Sequence, residues 1–562
     1  KMARAVLLFF LICCRSQSFR ILWKPSFVSS SLIKKSFYGE RVGSMPFTSQ
    51  KTIVDKAISW CHKNGLKMKR LKEAESEITH VPFSLFPNSF SQREFLRAVE
   101  LAPLFNTLVD KIACDQDWLL ETLQPVFVND PFTARLAQLF KDSPIQKIRL
   151  GIHRSDYMLH LDGKILQVEL NTIASSFGCI SALTSLLHQS MLNEFLDMKL
   201  NPQSRTVILE MLANIGALPN ITSFPDSAGF NLPENSRCCE NLASAISIAH
   251  SEYQKYCLVM DDDKDIQRNQ SVVIFVVQNH EGNIFDQFLL QESLVDKHQI
   301  QIRRMTLAEI AKHAIIDNAT GKLFISLEDG NNVEVSVIYF RAGYTPTDYP
   351  SEDEWEGRRK IEAAWRCVKC PTLGYQLAGS KIVQQRLSDE GEVERFLTSS
   401  ASLKVRSCFT ELYSLSPSTR RTSEHLGSLI SRVIEEPNDW ILKPQREGGG
   451  NNIYDSCLSQ TLQNGNATEL ASLVLMKKIK PVSQQALLVE AGQVKVTDTV
   501  NELGVFGTYL VVDSSSPTQE KETSRVVLNE HAGHLLRVKP SSMREGGVAT
   551  GYAVLSSPVL IK

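Results

Sequence analysis

Apolar residues recur at helical spacing through Phe95, Leu96, Val99, Leu101, Leu104 and Phe105, and residues 45 to about 150 read as mainly helical. The pattern then changes. Lys164-Ile-Leu-Gln-Val-Glu-Leu-Asn171 is strand-like, and helical sequence follows to about residue 260. Val272-Val-Ile-Phe-Val-Val277 is a β-rich apolar run, followed by a helical stretch from Ile284 and another strand-like segment, Gln299-Ile-Gln-Ile-Arg303. A later β-type run spans Val333 to Phe340 and ends at Arg341. Strand, helix and strand in this order predict a parallel α/β unit, with ligand groups at the carboxyl ends of its strands. From about residue 380 a helix leads into a mixed section holding the strand Trp440-Ile-Leu-Lys443 and two glycine-rich loops. The expected fold class is α/β or α+β.

Composition narrows the function more than the fold. The 562 residues are 43% hydrophobic and 22% charged, with a formal net charge of −1. No global field recruits nucleic acid or an anionic membrane, and no apolar run approaches the roughly 20 residues that span a bilayer. Residues 1–44 differ from the rest, with basic Lys1, Arg4, Arg15, Arg20, Lys24, Lys34, Lys35 and Arg41 against the single acid Glu40. Ala5 to Cys14 is continuously apolar, and Ser-rich, Arg-containing sequence follows. A secretory signal, an organellar transit peptide and an upstream extension before Met45 are the three alternatives. The 12 cysteines show no regular framework, which favours a reducing compartment and weighs against secretion. Cys367 and Cys370 form a lone CxxC without His ligands, expected as two ordinary cysteines at the end of a helix. The location is therefore cytoplasmic, or plastid or mitochondrial if the leader is a transit peptide.

Three segments carry the chemistry. In Ile441-Leu-Lys-Pro-Gln-Arg-Glu-Gly-Gly-Gly-Asn-Asn452 a strand delivers Lys443, then Glu447 and the glycines Gly448, Gly449 and Gly450. Successive glycines let backbone N–H groups turn toward phosphate without Cβ obstruction. Lys443 suits phosphate charge, and Glu447 offers the hard oxygen that magnesium takes. A second loop, Arg544-Glu-Gly-Gly-Val-Ala-Thr-Gly551, follows Arg537 and Lys539, which share one face if the segment is extended; an anion site and a solvated edge strand are the alternatives. The third segment is Gly151-Ile-His-Arg-Ser-Asp-Tyr157 with Gln167-Val-Glu-Leu-Asn171, where Glu169 and Asn171 can point to one side as oxygen ligands for magnesium.

Together with Tyr339-Phe-Arg-Ala-Gly-Tyr344, Gln376-Leu-Ala-Gly-Ser-Lys381 and Asn501-Glu-Leu-Gly-Val-Phe-Gly507, these blocks resemble, in order and separation, those of eukaryotic glutathione synthetase over roughly residues 50–560. The resemblance implies an ATP-grasp fold with an inserted parallel α/β substrate-binding domain, glycine-rich lid loops and a homodimer. It divides the chain into a leader (1–44), a helical and ATP-grasp part carrying the magnesium strand (45–265), a substrate-binding domain (266–378) and an ATP-grasp and lid part (379–562). The implied reaction joins γ-glutamylcysteine to glycine with ATP, through an acyl phosphate. A ligase using β-alanine or another small amino acid is one alternative, and a non-catalytic nucleotide-binding regulatory protein is a remote one.

By matching position, the resemblance implies that Glu169, Asn171 and Glu447 hold magnesium, two ions per site, and that Arg154, Lys443 and Arg537 are catalytic. It assigns Lys381, Lys443, Glu447, Gly448, Gly449, Gly450, Asn451, Asn452, Tyr454, Met476, Lys477, Lys478, Ile479, Glu502, Lys539 and Glu545 to ATP. It assigns Arg154, Ala174, Ser175, Ser176, Glu281, Gly282, Asn283, Gln287, Arg341, Ala342, Gly343, Tyr344, Arg537, Val548 and Ala549 to the peptide and acceptor. His153 and His534 are left structural. The chain departs from the family's usual residues at Ala174, Lys477, Glu545 and Thr550. Lys477 is tolerable if its position acts through the backbone, and Thr550 matches neither the glycine-using nor the β-alanine-using pattern, so that glycine stays the expected acceptor with β-alanine as the alternative.

Overall fold

β-Branched and aromatic residues dominate the longest strand, Gln493–Asp513, which pairs antiparallel with Ser524–Pro540, Glu502 opposite Arg537 and Gly504 opposite Leu535. The structure, a computed structural model, describes residues 47–71, 76–197, 230–261, 271–416, 423–445, 451–513, 524–548 and 550–562. The expected leader, and the expected site residues Glu447, Gly448, Gly449, Gly450 and Ala549, lie outside the described residues.

Among the described residues thirteen strands form one mixed sheet. Ile148–Leu159 lies antiparallel against Gln493–Asp513 and carries the strand Ile165–Asn171 as a hairpin partner. On its other side the sheet turns parallel: Val368–Cys370, Asn332–Phe340, Val272–Val276 and Ile302–Met305 follow one another. The helix Ile284–His298 connects the last two strands, so the expected parallel unit is present. Its second strand begins at Ile302 rather than Gln299, because Gln299 ends the helix in a left-handed conformation (φ 57°) and donates to Val295 O.

Among the described residues up to 150 are four α-helices, in keeping with the helical spacing, together with short strands such as Phe83–Ser84 and Asn88–Ser91. The helix Gln92–Cys114 packs on the long ribbon and buries Phe95, Ala98, Leu101, Phe105 and Leu108. The helices Gly178–Asp197 and Cys238–Asp261 also pack on Ser524–Pro540, and a disulfide between Cys179 and Cys239 joins their first turns. Cys367 and Cys370 do not end a helix. The helix stops at Ala363, and the pair brackets and enters the strand Val368–Cys370, both thiols free and buried. Burial pushes the Cys367 thiol up to about 12, so neither redox nor metal chemistry is favoured there.

A separate antiparallel sheet orders Leu412–Ser414, Val474–Lys477 and Trp440–Lys443, with Ile441 opposite Met476. It carries its own apolar cluster around Trp440, Leu442, Leu458 and Leu475. Among the described residues no helix is long and apolar enough to cross a membrane.

Candidate active site

The large sheet gathers the charged positions by register. Arg154 faces Asn171 across the hairpin and Asp156 faces Glu169, while the neighbouring ribbon sets Glu502 opposite Arg537 and Val500 opposite Lys539. In extended chain, side chains two apart leave one face, so Arg154 with Asp156, Glu169 with Asn171, and Arg537 with Lys539 share a side. The small sheet brings Lys443 at the end of its strand and Met476 on its central strand. Between the two sheets is a cleft of about 670 Å³.

Of the expected residues, Arg154, Glu169, Asn171, Ala174, Ser175, Ser176, Tyr344, Lys381, Lys443, Asn451, Asn452, Tyr454, Met476, Lys478, Ile479, Glu502, Arg537, Lys539, Glu545 and Val548 line this cleft. Lys477 does not. Its side chain is exposed and donates to Glu411, while its backbone N–H donates to Glu411 O at 2.9 Å within the sheet. Thr550 lines the cleft and donates through Oγ1 to Gly547 O at 3.1 Å. Tyr454 and Arg544 tie the two loops together, Tyr454 donating to Glu545 at 3.1 Å and Arg544 pairing with Asp455.

The residues expected on the peptide side, Glu281, Gly282, Asn283, Gln287, Arg341, Ala342 and Gly343, do not line the cleft, and Arg341 is joined to it through the loop Ala174–Phe177. Arg341, 3% exposed, donates to Ser175 O at 2.9 Å and to Ser176 Oγ at 2.6 Å. Arg154 donates to Ser176 O at 3.1 Å. Gln287 donates to Glu281 Oε2 at 2.6 Å and accepts from Arg304 at 2.6 Å. The amide atoms of Asn283 are buried without a hydrogen-bond partner in the described structure, a polar group suited to a ligand.

The cleft is strongly cationic, with the charges held in different ways. Lys443 donates to Val168 O at 2.9 Å and Lys539 to Arg544 O at 2.6 Å. Burial lowers both ammonium groups below their ordinary range. Lys381 stands 3.7 Å from Glu169. Burial works to raise the Glu169 carboxyl, but Lys381, Lys443, Arg537 and Arg154 outweigh it and hold it low. Glu502 is pushed up by burial, and Arg537 and Lys539 oppose that shift. Met158, Val168, Ile441, Met476 and Ile479 supply an apolar wall. Apolar surface beside converging cations suits a planar base carrying phosphates.

The residues present also fit magnesium. Asn171 Nδ2 is spent inward, on Asp156 Oδ2 at 2.9 Å and Arg154 O at 3.3 Å, which leaves Oδ1 for a cation beside the ionised Glu169. Hard oxygens of this kind are the ligands magnesium takes. Among the described residues no group of three or more His, Cys, Asp or Glu side chains is arranged to hold a metal, in keeping with a donor set that includes an amide.

Two residues with clear structural work here were given no role from sequence. Asp156 accepts from Arg154, Asn171 and Arg537. Asp286 accepts the backbone N–H groups of Phe177, Cys179 and Ile180, and so holds the end of the loop Ala174–Phe177. The position of Asp156, two residues after Arg154 in a strand, is a signal that spacing alone could supply. Asp286 carries none.

Residues 48–560 match the family described as eukaryotic glutathione synthase, ATP binding domain. The chain is 36% identical over 529 residues to a chloroplastic glutathione synthetase of Solanum lycopersicum, covering 91% of this chain and 84% of that one. It is 35% identical to the glutathione synthetase of Dictyostelium discoideum, covering 90% and 98%, and 33% identical to that of Homo sapiens, covering 90% and 95%. The fold is similar to the solved structure of a glutathione synthetase-like effector from Globodera pallida in apo form. That likeness has a TM-score of 0.64 at 17% identity over 92% of this chain and 98% of the other.

Proposed function

The chain belongs to the eukaryotic glutathione synthase family and is an ATP-dependent ligase of glutathione synthesis; within that, we propose that the cleft between the two sheets is where γ-glutamylcysteine, glycine and ATP meet. The observation that supports this assignment is the convergence on one cleft of segments far apart in sequence: the hairpin at 148–171, the loop at 451–454 and the ribbon and loop at 537–548. The architecture is proposed to be an ATP-grasp arrangement, with the loops carrying Gly448 to Gly450 and Gly546 to Gly547 as lids.

In this mechanism Lys381, Lys443 and Lys539 take the phosphates, and the apolar wall formed with Met476 and Ile479 takes the adenine. Arg154 and Arg537 face the peptide. A guanidinium captures a carboxylate in a two-pronged contact, so these residues orient the cysteinyl carboxylate toward the γ-phosphoryl group. That oxygen attacks phosphorus and ADP leaves; the glycine amine then attacks the acyl phosphate and phosphate departs. Arg154 steadies the charge on the reacting carboxyl group. Glu169, Asn171 and Glu447 would hold magnesium, which would supply charge neutralisation for the phosphates. The loops keep water from the acyl phosphate, and Glu545 to Tyr454 is a contact that joins them.

ATP consumption with γ-glutamylcysteine and glycine, with and without magnesium, tests this. The expected result is turnover that needs both amino-acid substrates and the metal. Purified, folded protein that forms no glutathione from them would overturn the assignment.

A further inference from the structure

The charges of the site meet at Asp156, which faces no solvent. Its exposure is 0%, and it does not line the cleft that Arg154, Asn171 and Arg537 line. Oδ1 accepts from Arg154 Nε at 2.7 Å. Oδ2 accepts from Arg154 Nη2 at 2.9 Å, from Asn171 Nδ2 at 2.9 Å and from Arg537 Nη2 at 2.7 Å. One carboxylate therefore binds donors from three different strands, and Arg154 is gripped by both oxygens.

The opposing strand leaves room for this contact. Gly504 pairs with Asp156, and a Cβ at that position would lie 2.8 Å from Asp156 Oδ1 and 2.9 Å from Arg154 Cδ. Any side chain there would push the carboxylate off its donors. Removing the charge would leave two guanidinium groups without a shared anchor, Arg154 keeping Ser176 O and Arg537 keeping Glu502.

We propose that Asp156 is a positioning residue for peptide recognition, fixing Arg154 and Arg537 at the separation and angle that the carboxylate-bearing peptide requires. The proposal rests on the ligase assignment above. Asp156 touches no substrate and acts through the two arginines, as outer partners of binding groups commonly do. A carboxylate that only stabilised the fold would be felt equally by peptide and nucleotide. A positioning residue is felt by the peptide.

The test compares wild-type enzyme with Asp156→Asn, which keeps the shape and removes the charge. The kcat/KM for γ-glutamylcysteine is expected to fall about 10- to 100-fold, while KM for MgATP changes by less than about threefold. In the background of Arg537→Met, adding Asp156→Asn is expected to cost less than it does alone, because one of the three side chains it binds is already gone. Gly504→Ala is a second variant that keeps the carboxylate but sets a Cβ against Asp156 Oδ1 and Arg154 Cδ, so that these side chains must shift. It should show the same peptide-selective loss. Wild-type kinetics in Asp156→Asn or in Gly504→Ala would overturn the proposal, as would equal losses toward peptide and MgATP or fully multiplicative effects with Arg537→Met. Absence of ligase turnover in the wild-type enzyme would instead remove the assignment on which the proposal stands.

Discussion

Replacing Asp286 with alanine removes a carboxylate that accepts three main-chain N–H groups, from Phe177 at 2.8 Å, Cys179 at 3.0 Å and Ile180 at 3.1 Å. These are N–H groups at the start of the helix Gly178–Asp197, which have no partner inside the helix. Asp286 is 7% exposed, so water does not freely take its place. Each stranded buried N–H costs about 1–3 kcal/mol, and three give roughly 3–9 kcal/mol before the site relaxes. Relaxation recovers part of that. Phe177 sits at φ 72° and Ala174 at φ 50°, left-handed conformations that a side chain adopts under strain, and freeing one returns about 1–2 kcal/mol. Water reaching one N–H returns a similar amount. The expected net loss is about 3 kcal/mol of local stability, or roughly 150-fold in the opening equilibrium of the loop.

Hydrogen exchange followed by mass spectrometry reads that quantity directly. Peptides covering residues 174–185 of Asp286→Ala should exchange about 100- to 200-fold faster, with the ribbon Gln493–Asp513 unchanged. The loop also carries the acceptors for Arg154 and Arg341 at Ser175 and Ser176, so KM for γ-glutamylcysteine should rise about tenfold. Unchanged protection in 174–185, or faster exchange with an unaltered peptide KM, would refute the reasoning.

Acid stability has a worked sign at His188, whose Nε2–H donates to Ser84 O at 2.8 Å while Nδ1 accepts from Ser557 Oγ. Burial lowers this imidazole to about 4, against about 6.5 in an unfolded chain. The unfolded state therefore takes the proton first; the contribution is complete above about pH 6.5 and is lost as pH falls to about 4, roughly 3 kcal/mol in all. Urea midpoints between pH 7 and 4 should fall less steeply in His188→Gln than in wild type, and identical slopes would sink the claim. Lys477→Ala should leave KM for ATP within about twofold and stability within about 1 kcal/mol, since an exposed pair with Glu411 is all that is removed. A tenfold rise in that KM would place the side chain at the nucleotide after all.

Local pattern was enough for the parts of the molecule that local forces decide. The runs at 164–171, 272–277 and 333–340 alternate or cluster apolar residues so strongly that their strands follow, and the parallel pairing of 272–276 with 302–305 follows from the helix between 284 and 298. The strand Trp440–Lys443 was equally legible, with Lys443 delivered at its end. Gln299 was not, because a left-handed residue at a helix end other than glycine leaves little mark in sequence. Asp156 and Arg537 are 381 positions apart, and no local rule pairs them. The same applies to Asp286, which reaches back 109 positions to Phe177.

How each cation is held explains why one cleft can treat two ligands differently. Lys443 and Lys539 donate to carbonyl oxygens, neutral acceptors, and the carboxylates Glu502 and Glu545 act on both through space rather than by a direct ion pair. A flexible ammonium on a carbonyl can turn to a phosphate without breaking an ion pair. Arg154 and Arg537 are bound by carboxylates, Asp156 for both and Glu502 for the second, so their charge is largely balanced and their planes are fixed. Fixed guanidinium planes lose little entropy on meeting a carboxylate and discriminate by geometry. If the lysines take the nucleotide and the arginines the peptide, as proposed, the nucleotide is drawn chiefly by charge and the peptide chosen chiefly by shape. Added salt should therefore weaken ATP binding more than peptide binding.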